Sequence, residues 1–386
     1  MPTEHDGRVA RLQEALRLRG LDAALLLQAA DVFYYTGTRQ DAALWVRAGD
    51  EPLLLVRRSL ARAREECRLR DVRPLPPGRD LPAALGPASR VGMTFDAVPV
   101  EVQRLWADAL PGAELVDVSA AVRDQRSQKS AAEIERMRAT ARMLCDAYRE
   151  IPSFLRPGVR ELDLAAELEY RMRKGGNEGA PRLRRFNQEL FIGLAVAGPA
   201  AAMPGGFDGP LNGRGLSPAA PNGASRRPVP RDAPILFDYT GIMGGYIVDM
   251  TRLAVMGRLA PGLERAFGVA LEIQAELVRR LVPGEIPSRL WGRAKEMAEA
   301  AGLGSCFMGP PGAQARFVGH GVGLELDELP VLASGFDAPL REGQTVALEP
   351  KFVFPDLGAV GIENTWAVAP GGGVRITELP DDVIRV

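Results

Sequence analysis

Four carboxylates and one imidazole stand in otherwise apolar stretches of the second half of this 386-residue chain: Asp238, Asp249, His320, Glu349 and Glu363. A lone charge is costly to bury, so side chains of this kind need a common counter-charge. Few basic residues lie near them in the sequence, which favours metal. Oxygen ligands with one nitrogen suit Mn²⁺, Co²⁺, Zn²⁺ or Fe²⁺. Because five ligands exceed one tetrahedral site, the set predicts two ions, held roughly 3.5–4 Å apart by bridging carboxylates.

The two aspartates each follow apolar residues that are typical of a buried strand. Asp238 comes after the run 235–237, and Asp249 comes after 247–248. The pair Gly244-Gly245 between them predicts a hairpin. Such a hairpin would set the two carboxylates side by side on neighbouring strands.

His320 is one of only two histidines in the chain, so a mechanism that needs two of them is excluded. Glycines on both sides of it allow a backbone bend and leave room for an ion. We therefore interpret His320 as the sole imidazole ligand of the site. Glu349 and Glu363 are expected on two further strands, which a turn at 355–358 would join.

The composition excludes several classes of protein. The net charge of -1 gives no overall reason to expect nucleic acid or an anionic membrane as a partner. Three widely spaced cysteines argue against a disulfide framework or a cysteine–zinc site and favour a reducing compartment. The charged first twenty residues lack a signal segment, and no apolar run is long enough to span a bilayer. Together these features predict a soluble, cytoplasmic protein.

The first third of the chain alternates helix-like and strand-like segments, which predicts an open α/β domain over 1–124. A helix is expected over 7–20, a buried strand over 21–28 and a second segment over 31–37 that closes on a glycine turn. A hairpin-type connection is expected at Gly49-Asp50.

The remainder, 125–386, is predicted to be a second domain of α+β class. It begins with a long amphipathic helix for which Ser130 and Glu133 form a capping box. A helix–Pro-Gly–helix pattern occurs twice, at 155–176 and 281–302, which suggests an internal duplication. The Gly- and Pro-rich segment 198–234 is either a flexible insertion or an ordered loop beside a site.

In chain order, the segments FDYTG, GYIVDMTR, GHGVGLELDELP, LEP and GIENT resemble the pita-bread metallopeptidases. That family includes Xaa-Pro aminopeptidase, prolidase, methionine aminopeptidase and the related creatinase. The likeness extends to the first third, where the helix at 7–19 and the segment 115–138 resemble the creatinase-type N-terminal domain and its linker. The resemblance implies a creatinase-type α/β domain over 1–124, a duplicated, pseudo-two-fold pita-bread catalytic domain over 125–386, and a homodimer.

The resemblance also implies roles for the five ligands. Asp249 and Glu363 would bridge both ions, Asp238 would chelate one, and His320 with Glu349 would complete the other. Glu349 would in addition move protons for a hydroxide shared by the two ions. That hydroxide would attack an amide carbonyl, so no protein nucleophile is required.

The chain departs from the family pattern at several positions around the site. Asp327 and Gly205 stand where the peptidases usually carry histidines that hold the substrate carbonyl. The absence of these donors removes interactions worth roughly a few kcal/mol in a transition state. Lys351 replaces a glycine of the family, and Gly361 replaces an arginine.

Asp327 and Lys351 are further candidates for catalytic roles, besides Glu349. Asp327 would act as an acid or contact a basic substrate group, and the alternative is a salt bridge to a loop arginine: Arg184, Arg185 or Arg214. Lys351 would supply a cation, although a solvated strand residue is the favoured interpretation. The basic cluster 181–186 is interpreted as a solvated face or a subunit contact, with carboxylate binding as the alternative.

The predicted function is a dinuclear metal-dependent hydrolase, with Mn²⁺, Co²⁺ or Zn²⁺, that acts on a small peptide or amide like an Xaa-Pro aminopeptidase or dipeptidase. One alternative is a non-peptidase amidohydrolase similar to creatinase or ectoine hydrolase. Another is a non-catalytic binding protein on a peptidase fold. The retained set of five ligands favours an enzyme.

Overall fold

The computed structural model describes residues 3–190 and 192–386, which divide into two compact units. The first unit extends to Arg126 and also includes Arg184–Asn187, whereas the second consists of Ser127–Leu183 and Gln188–Val386. The sequence did not predict that 184–187 would group with the first unit. The predicted boundary between residues 124 and 125 stays a prediction.

The first unit is built on a six-stranded sheet with the order β4-β3-β2-β1-β5-β6. Strand β2 is antiparallel to both of its neighbours, and the other pairs are parallel. The elements are α1 (Glu4–Leu18), β1 (Ala23–Leu26), α2 (Ala29–Thr36), β2 (Ala42–Arg47), β3 (Leu53–Val56), α3 (Leu60–Glu66), β4 (Asp71–Pro74), α4 (Leu81–Leu85), β5 (Arg90–Met93), α5 (Val100–Asp108), β6 (Glu114–Asp117) and α6 (Ser119–Ser127). This is the α/β organisation that the sequence predicts.

Two local predictions in the first unit have different outcomes. The antiparallel pair β2–β3 confirms the hairpin at Gly49-Asp50. The segment 31–37, which follows the first strand in the sequence, is helical, because the Gln28 side chain caps the start of α2 and Gly37 ends it at φ 81°. An apolar run of this length has no period that separates a strand from a buried helix.

The second unit contains two copies of a helix pair followed by antiparallel strands. Its sheets have the orders β17-β9-β8-β7, β11-β10-β12-β15-β16 and β13-β14. The elements are α7 (Ala131–Arg149), α8 (Ile151–Phe154), α9 (Glu161–Lys174), β7 (Gly193–Ala197), β8 (Ile235–Met243), β9 (Tyr246–Val255), α10 (Pro261–Arg279), α11 (Pro287–Ala300), β10 (Phe317–Gly321), β11 (Glu328–Ala333), β12 (Thr345–Leu348), β13 (Lys351–Phe354), β14 (Gly358–Gly361), β15 (Asn364–Ala367), β16 (Val374–Arg375) and β17 (Ile384–Arg385). The repeated helix–Pro-Gly–helix pattern predicted this duplication.

Buried apolar stripes on the helices hold the second unit together. Ala266, Ala270, Ile273 and Leu277 lie three or four residues apart on α10, and they share one core with residues of the strands, such as Leu236. This spacing places them on one helix face. The capping box at the start of α7 is present as predicted.

The Gly- and Pro-rich segment 198–234 is an ordered loop. After a 3-10 helix at Gly198–Ala202 it has neither α-helix nor strand, but it forms backbone hydrogen bonds with itself, such as Gly215 N to Gly223 O (2.9 Å). The buried Glu161 carboxylate of α9 accepts bonds from the backbone N–H and hydroxyl of Ser225. The structure therefore favours the ordered loop over the flexible insertion.

No helix in the described part of the chain combines the length and apolar character that a bilayer crossing requires. Cys67, Cys145 and Cys306 are all free thiols, in agreement with the prediction that they form no disulfide framework.

Candidate metal centre

Asp238 and Asp249 lie on the predicted hairpin. Strands β8 and β9 are antiparallel, with Asp238 opposite Thr251 and Thr240 opposite Asp249. The two aspartates are therefore diagonal neighbours on one face of the strand pair. Gly244 and Gly245 close the hairpin at φ 56° and 81°, where an L side chain would be strained.

Glu363 joins the aspartates from a different part of the chain. Its backbone forms an isolated antiparallel bridge with Thr251 of β9, and the Thr251 hydroxyl donates to Glu363 Oε2 at 2.8 Å. Glu363 precedes β15 and is almost fully buried. It thus faces Asp249 although 114 positions separate the two residues in the sequence.

His320 lies on β10, beside β12, with its imidazole oriented by the backbone. Nδ1 lies 3.0 Å from the carbonyl oxygen of Leu326 and 3.1 Å from that of Gly321. Carbonyl oxygens only accept, so Nδ1 carries the proton and Nε2 presents its lone pair. Nε2 points to Asp249 Oδ2 at 4.0 Å and to Glu349 Oε1 at 3.7 Å. This orientation is the one that a metal-binding histidine needs.

Lys351 occupies the centre of the other carboxylates. Its ammonium lies 3.1 Å from Asp238 Oδ2, 2.8 Å from Glu349 Oε2 and 2.7 Å from Glu363 Oε2. The side chain is only 1% exposed, so the interpretation of Lys351 as a solvated strand residue is wrong. The alternative interpretation, a residue that supplies a cation, agrees with this geometry. The prediction of two ions did not anticipate an ammonium among three of the five ligands.

The remaining ligand atoms fit one metal ion. Asp249, His320 and Glu363 each present an atom within 4.8 Å of the others. In the part of the chain that the structure describes, Asp249 Oδ2 and His320 Nε2 have no hydrogen-bond partner. Metal bonds to such atoms are about 2.0–2.2 Å long, so small side-chain movements would bring all three to a common ion.

The pKa values of three carboxyl groups in the cluster are raised, mainly by burial. Burial, followed by the charges of Glu363 and Asp238, raises the pKa of Asp249 well above its usual range. Burial also raises the pKa of Asp238 and of Glu363, although Lys351 opposes this in both cases. Burial disfavours the charged form of a carboxyl group, and neighbouring carboxylates add to this effect. A divalent cation bound among them would favour the charged form.

The cluster forms the floor of a cavity. Its walls are largely apolar and come from the segment before β7, from the 198–234 loop, from β10 and from the segment between β10 and β11, with Ile192, Phe207, Leu211, Phe317 and Leu326 among them. Two further carboxylates, Asp208 and Asp327, line it. Apolar walls with a few polar groups are typical of a site for a small ligand.

Asp327 lies beside the imidazole and not in a salt bridge to an arginine of the loops. Its Oδ1 is 3.9 Å from His320 Nδ1, and its side chain is 35% exposed. Arg184 instead binds Asp31 and Asp96 within the first unit. Arg184 is buried, so the interpretation of the basic cluster 181–186 as a solvated face is wrong for this residue.

Three supporting residues were missed in the sequence. Thr251 binds Glu363, and the Thr365 hydroxyl accepts from Asp249 N (2.9 Å) and donates to Asp249 O (3.0 Å). The buried Arg252 guanidinium donates to Glu363 O at 3.0 Å. Strand alternation contained a signal for Thr251, which follows Asp249 by two positions and so shares its face. Gly205, the other position without the family histidine, lies against Asn212 in the loop.

Two known protein families match most of this chain. Residues 135–370 match the family described as metallopeptidase family M24, and residues 8–128 match the creatinase/prolidase N-terminal domain. The fold and these matches define a metallopeptidase-type hydrolase with a creatinase-type N-terminal domain and a pita-bread catalytic domain, as the sequence predicted. The chain belongs to metallopeptidase family M24.

Individual relatives are distant but cover the chain. The uncharacterized peptidase YqhT of Bacillus subtilis is 24% identical over 383 residues, which cover 98% of this chain and 99% of the relative. The Xaa-Pro dipeptidase of Pyrococcus furiosus is 24% identical over 381 residues, with 98% and 99% covered. The solved structure of an Xaa-Pro dipeptidase from Bacillus anthracis has a TM-score of 0.84 at 23% identity and covers 99% of this chain and 100% of its own.

Proposed function

We propose that this chain hydrolyses small peptides in a metal-dependent reaction and that dipeptides ending in proline are its substrates. The observation that carries the proposal is the cluster of Asp249, His320 and Glu363 on the floor of a largely apolar cavity. Membership of the M24 family and relatives named Xaa-Pro dipeptidase support the choice of substrate.

The residues of the chain have distinct tasks in this reaction. A divalent ion would supply Lewis-acid chemistry and make water a stronger nucleophile at neutral pH. Asp249, His320 and Glu363 would hold the ion, and the carbonyls that fix Nδ1 of His320 keep Nε2 directed at it. Glu349, whose Oε1 faces His320 Nε2, would accept the proton that the attacking water loses. The apolar walls would exclude bulk water from the reacting carbonyl.

The test uses the full chain, stripped with a chelator and reloaded with Mn²⁺, Co²⁺ or Zn²⁺. We expect cleavage of Xaa-Pro dipeptides and much slower cleavage of matched Xaa-Ala dipeptides. The variant His320→Ala should lose at least 100-fold in kcat/KM, because it removes the only nitrogen ligand. His5→Ala, which alters the other histidine in α1, is the matched control and should retain activity. A metal-loaded protein that cleaves no dipeptide would contradict the proposal.

A second candidate function is hydrolysis of a small cationic amide by the same centre. It is favoured by the cavity lining, which contains Asp208 and Asp327 but neither arginine nor lysine among the described residues. The carboxylate of a dipeptide therefore meets no cation there, whereas a positively charged group would meet two acids. Cleavage of guanidino or cyclic amides, with Xaa-Pro dipeptides left intact, would establish this alternative. A protein that binds metal but cleaves neither class would be a binding protein on the peptidase fold.

A further inference from the structure

We propose that the ammonium of Lys351 takes the place of one of the two metal ions, so that the centre binds a single divalent ion at Asp249, His320 and Glu363. The inference rests on the metal site of the proposed function and does not depend on the substrate. It concerns the number of ions, which is measured without any assay of activity.

The surroundings of the ammonium are those of a bound cation. An ammonium has three N–H donors, and Lys351 has three carboxylate acceptors, from Asp238, Glu349 and Glu363, at 2.7–3.1 Å. The fully buried side chain thus places a positive charge at the point where these three carboxylates converge. An ion shared by the same three residues would need this position.

The glutamates divide their oxygen atoms between two cation positions. Glu349 and Glu363 each direct Oε2 to the ammonium. Oε1 of Glu349 faces the other way, 3.7 Å from His320 Nε2. Carboxylates in two-ion centres link their ions in this manner. Here they link one ammonium to one position for an ion.

Strand β14, which pairs with the strand of Lys351, leaves space for the lysine side chain. Lys351 and Gly361 are partners in the β13–β14 pair. A Cβ at Gly361 would lie 2.5 Å from Lys351 Cγ and 2.7 Å from the carbonyl oxygen of Pro350. Real Cβ atoms do not approach other atoms so closely, so the lysine stem occupies space that only a glycine leaves open. The backbone of β14 at Gly361 therefore leaves space for the lysine side chain that carries the buried ammonium.

A second divalent ion would have to displace a charge that is covalently attached to the chain. The four carboxylates already have one ammonium, and a single ion at His320 adds two positive charges. Two cations cannot share the volume between Asp238, Glu349 and Glu363, because the ammonium lies within 3.1 Å of all three. The residues present therefore fit one ion and do not fit two.

The test is the metal content of the full chain after chelation, saturation with Mn²⁺ and removal of free metal. Elemental analysis should find one Mn²⁺ per chain, and the electron paramagnetic resonance spectrum should be that of an isolated ion. Lys351→Gly should bind two Mn²⁺ per chain with a spin-coupled spectrum, since it removes the charge and opens the space. Lys295→Ala, which alters an exposed lysine of α11, should still bind one.

Other outcomes overturn the inference. Wild-type protein that binds two ions, or none, contradicts it directly, and this measurement does not require any variant to fold. A folded Lys351→Gly protein that still binds one ion would show that the ammonium is not what excludes the second. If that variant fails to fold, Lys351→Ala tests the same point with less backbone freedom. Failure of dipeptide cleavage alone would leave a stoichiometry of one intact, so the two proposals fail separately.

Discussion

At the scale of single residues, the two strand partners Lys351 and Gly361 depend on each other. The lysine brings a cation among the carboxylates, and the glycine opposite it leaves room for the lysine stem. The resemblance of the sequence to the pita-bread peptidases implies that both positions differ from the usual residues of that family. With Lys351 but a larger residue at position 361, the lysine side chain would have no space. With Gly361 but no lysine at position 351, the space beside the glycine would be empty. We interpret the two as a single adaptation of the centre.

The variant Gly361→Ala tests this coupling through stability. Its Cβ would meet Lys351 Cγ at 2.5 Å, so the lysine or the strand must move. Overpacking of this kind costs about 1–3 kcal/mol in the free energy of unfolding. Gly371→Ala is the matched control, because its Cβ would have no neighbour within 4 Å. Urea denaturation should separate the two variants, and equal stabilities would contradict the tight contact.

Asp327 is expected to act on the substrate and not on the metal. It lines the cavity, and the imidazole of His320 beside it is already hydrogen-bonded to two carbonyl oxygens through Nδ1. Asp327→Asn should lower kcat/KM about tenfold for substrates with a free amino group, which corresponds to about 1.4 kcal/mol. Metal content should not change. Asp356→Asn, on the exposed turn after β13, is the control, and an equal loss with N-acetylated substrates would argue against a charge contact.

The sequence predicted which side chains would lie together better than it predicted their surroundings. Asp238, Asp249 and His320 were visible because a polar side chain inside an apolar strand segment contrasts with its neighbours. The burial of Lys351 was not visible, because it depends on carboxylates that converge only in three dimensions. Its spacing of two from Glu349 was the sole hint that both could face one side. The interpretation of Lys351 as a solvated residue was wrong because it considered only the position of Lys351 in its strand and not its spacing from Glu349.

At the scale of elements, helix α7 forms hydrogen bonds to both strands of the hairpin β8–β9. The buried hydroxyl of Tyr148 lies 2.7 Å from the Met250 carbonyl oxygen and 3.1 Å from that of Phe237. These carbonyls belong to the residues next to Asp249 and Asp238. Tyr148 therefore connects the helix to both strands at the level of the centre.

Removal of this hydroxyl should weaken the second unit. Tyr148→Phe removes the hydroxyl that donates to two buried carbonyl oxygens, which costs about 0.5–1.5 kcal/mol in the free energy of unfolding. Tyr170→Phe, on the exposed side of α9, should be neutral within about 0.5 kcal/mol. Chemical denaturation of both variants measures the difference. Equal midpoints would mean that the contact contributes nothing to stability.

The elements that the sequence predicted correctly have strong local signals. The Gly244-Gly245 turn and the capping box of α7 depend only on a few adjacent residues. Helix α2 was not identified because its apolar run has no distinguishing period. The order of the 198–234 loop depends on long-range contacts such as that of Glu161 with Ser225, which no local pattern records.

At the scale of the whole molecule, each unit has its own apolar core. One core includes Leu25, Trp45 and Val91 of the first unit, and the other includes Leu236 and Ile273 of the second. The metal cluster belongs entirely to the second unit. Units with separate cores can unfold in separate steps, so we expect two calorimetric transitions.

A bound ion should stabilise only one of these transitions. Mn²⁺ at 100 times its dissociation constant adds about 2.7 kcal/mol to the unit that binds it. The second unit should therefore melt at a higher temperature, while the first is unchanged. His320→Ala provides the control and should abolish the shift. A single transition, or a shift of both, would show that the two units unfold together.

The ammonium among the carboxylates has a consequence for how the enzyme matures. A free ion can be lost by dilution or removed by a chelator. The ammonium of Lys351 stays beside Asp238, Glu349 and Glu363, because it is covalently attached to the chain. One negative charge of the acidic centre is thus neutralised as soon as the strands meet, before any metal arrives. The protein would therefore complete its fold in metal-poor conditions. It would bind its single divalent ion last.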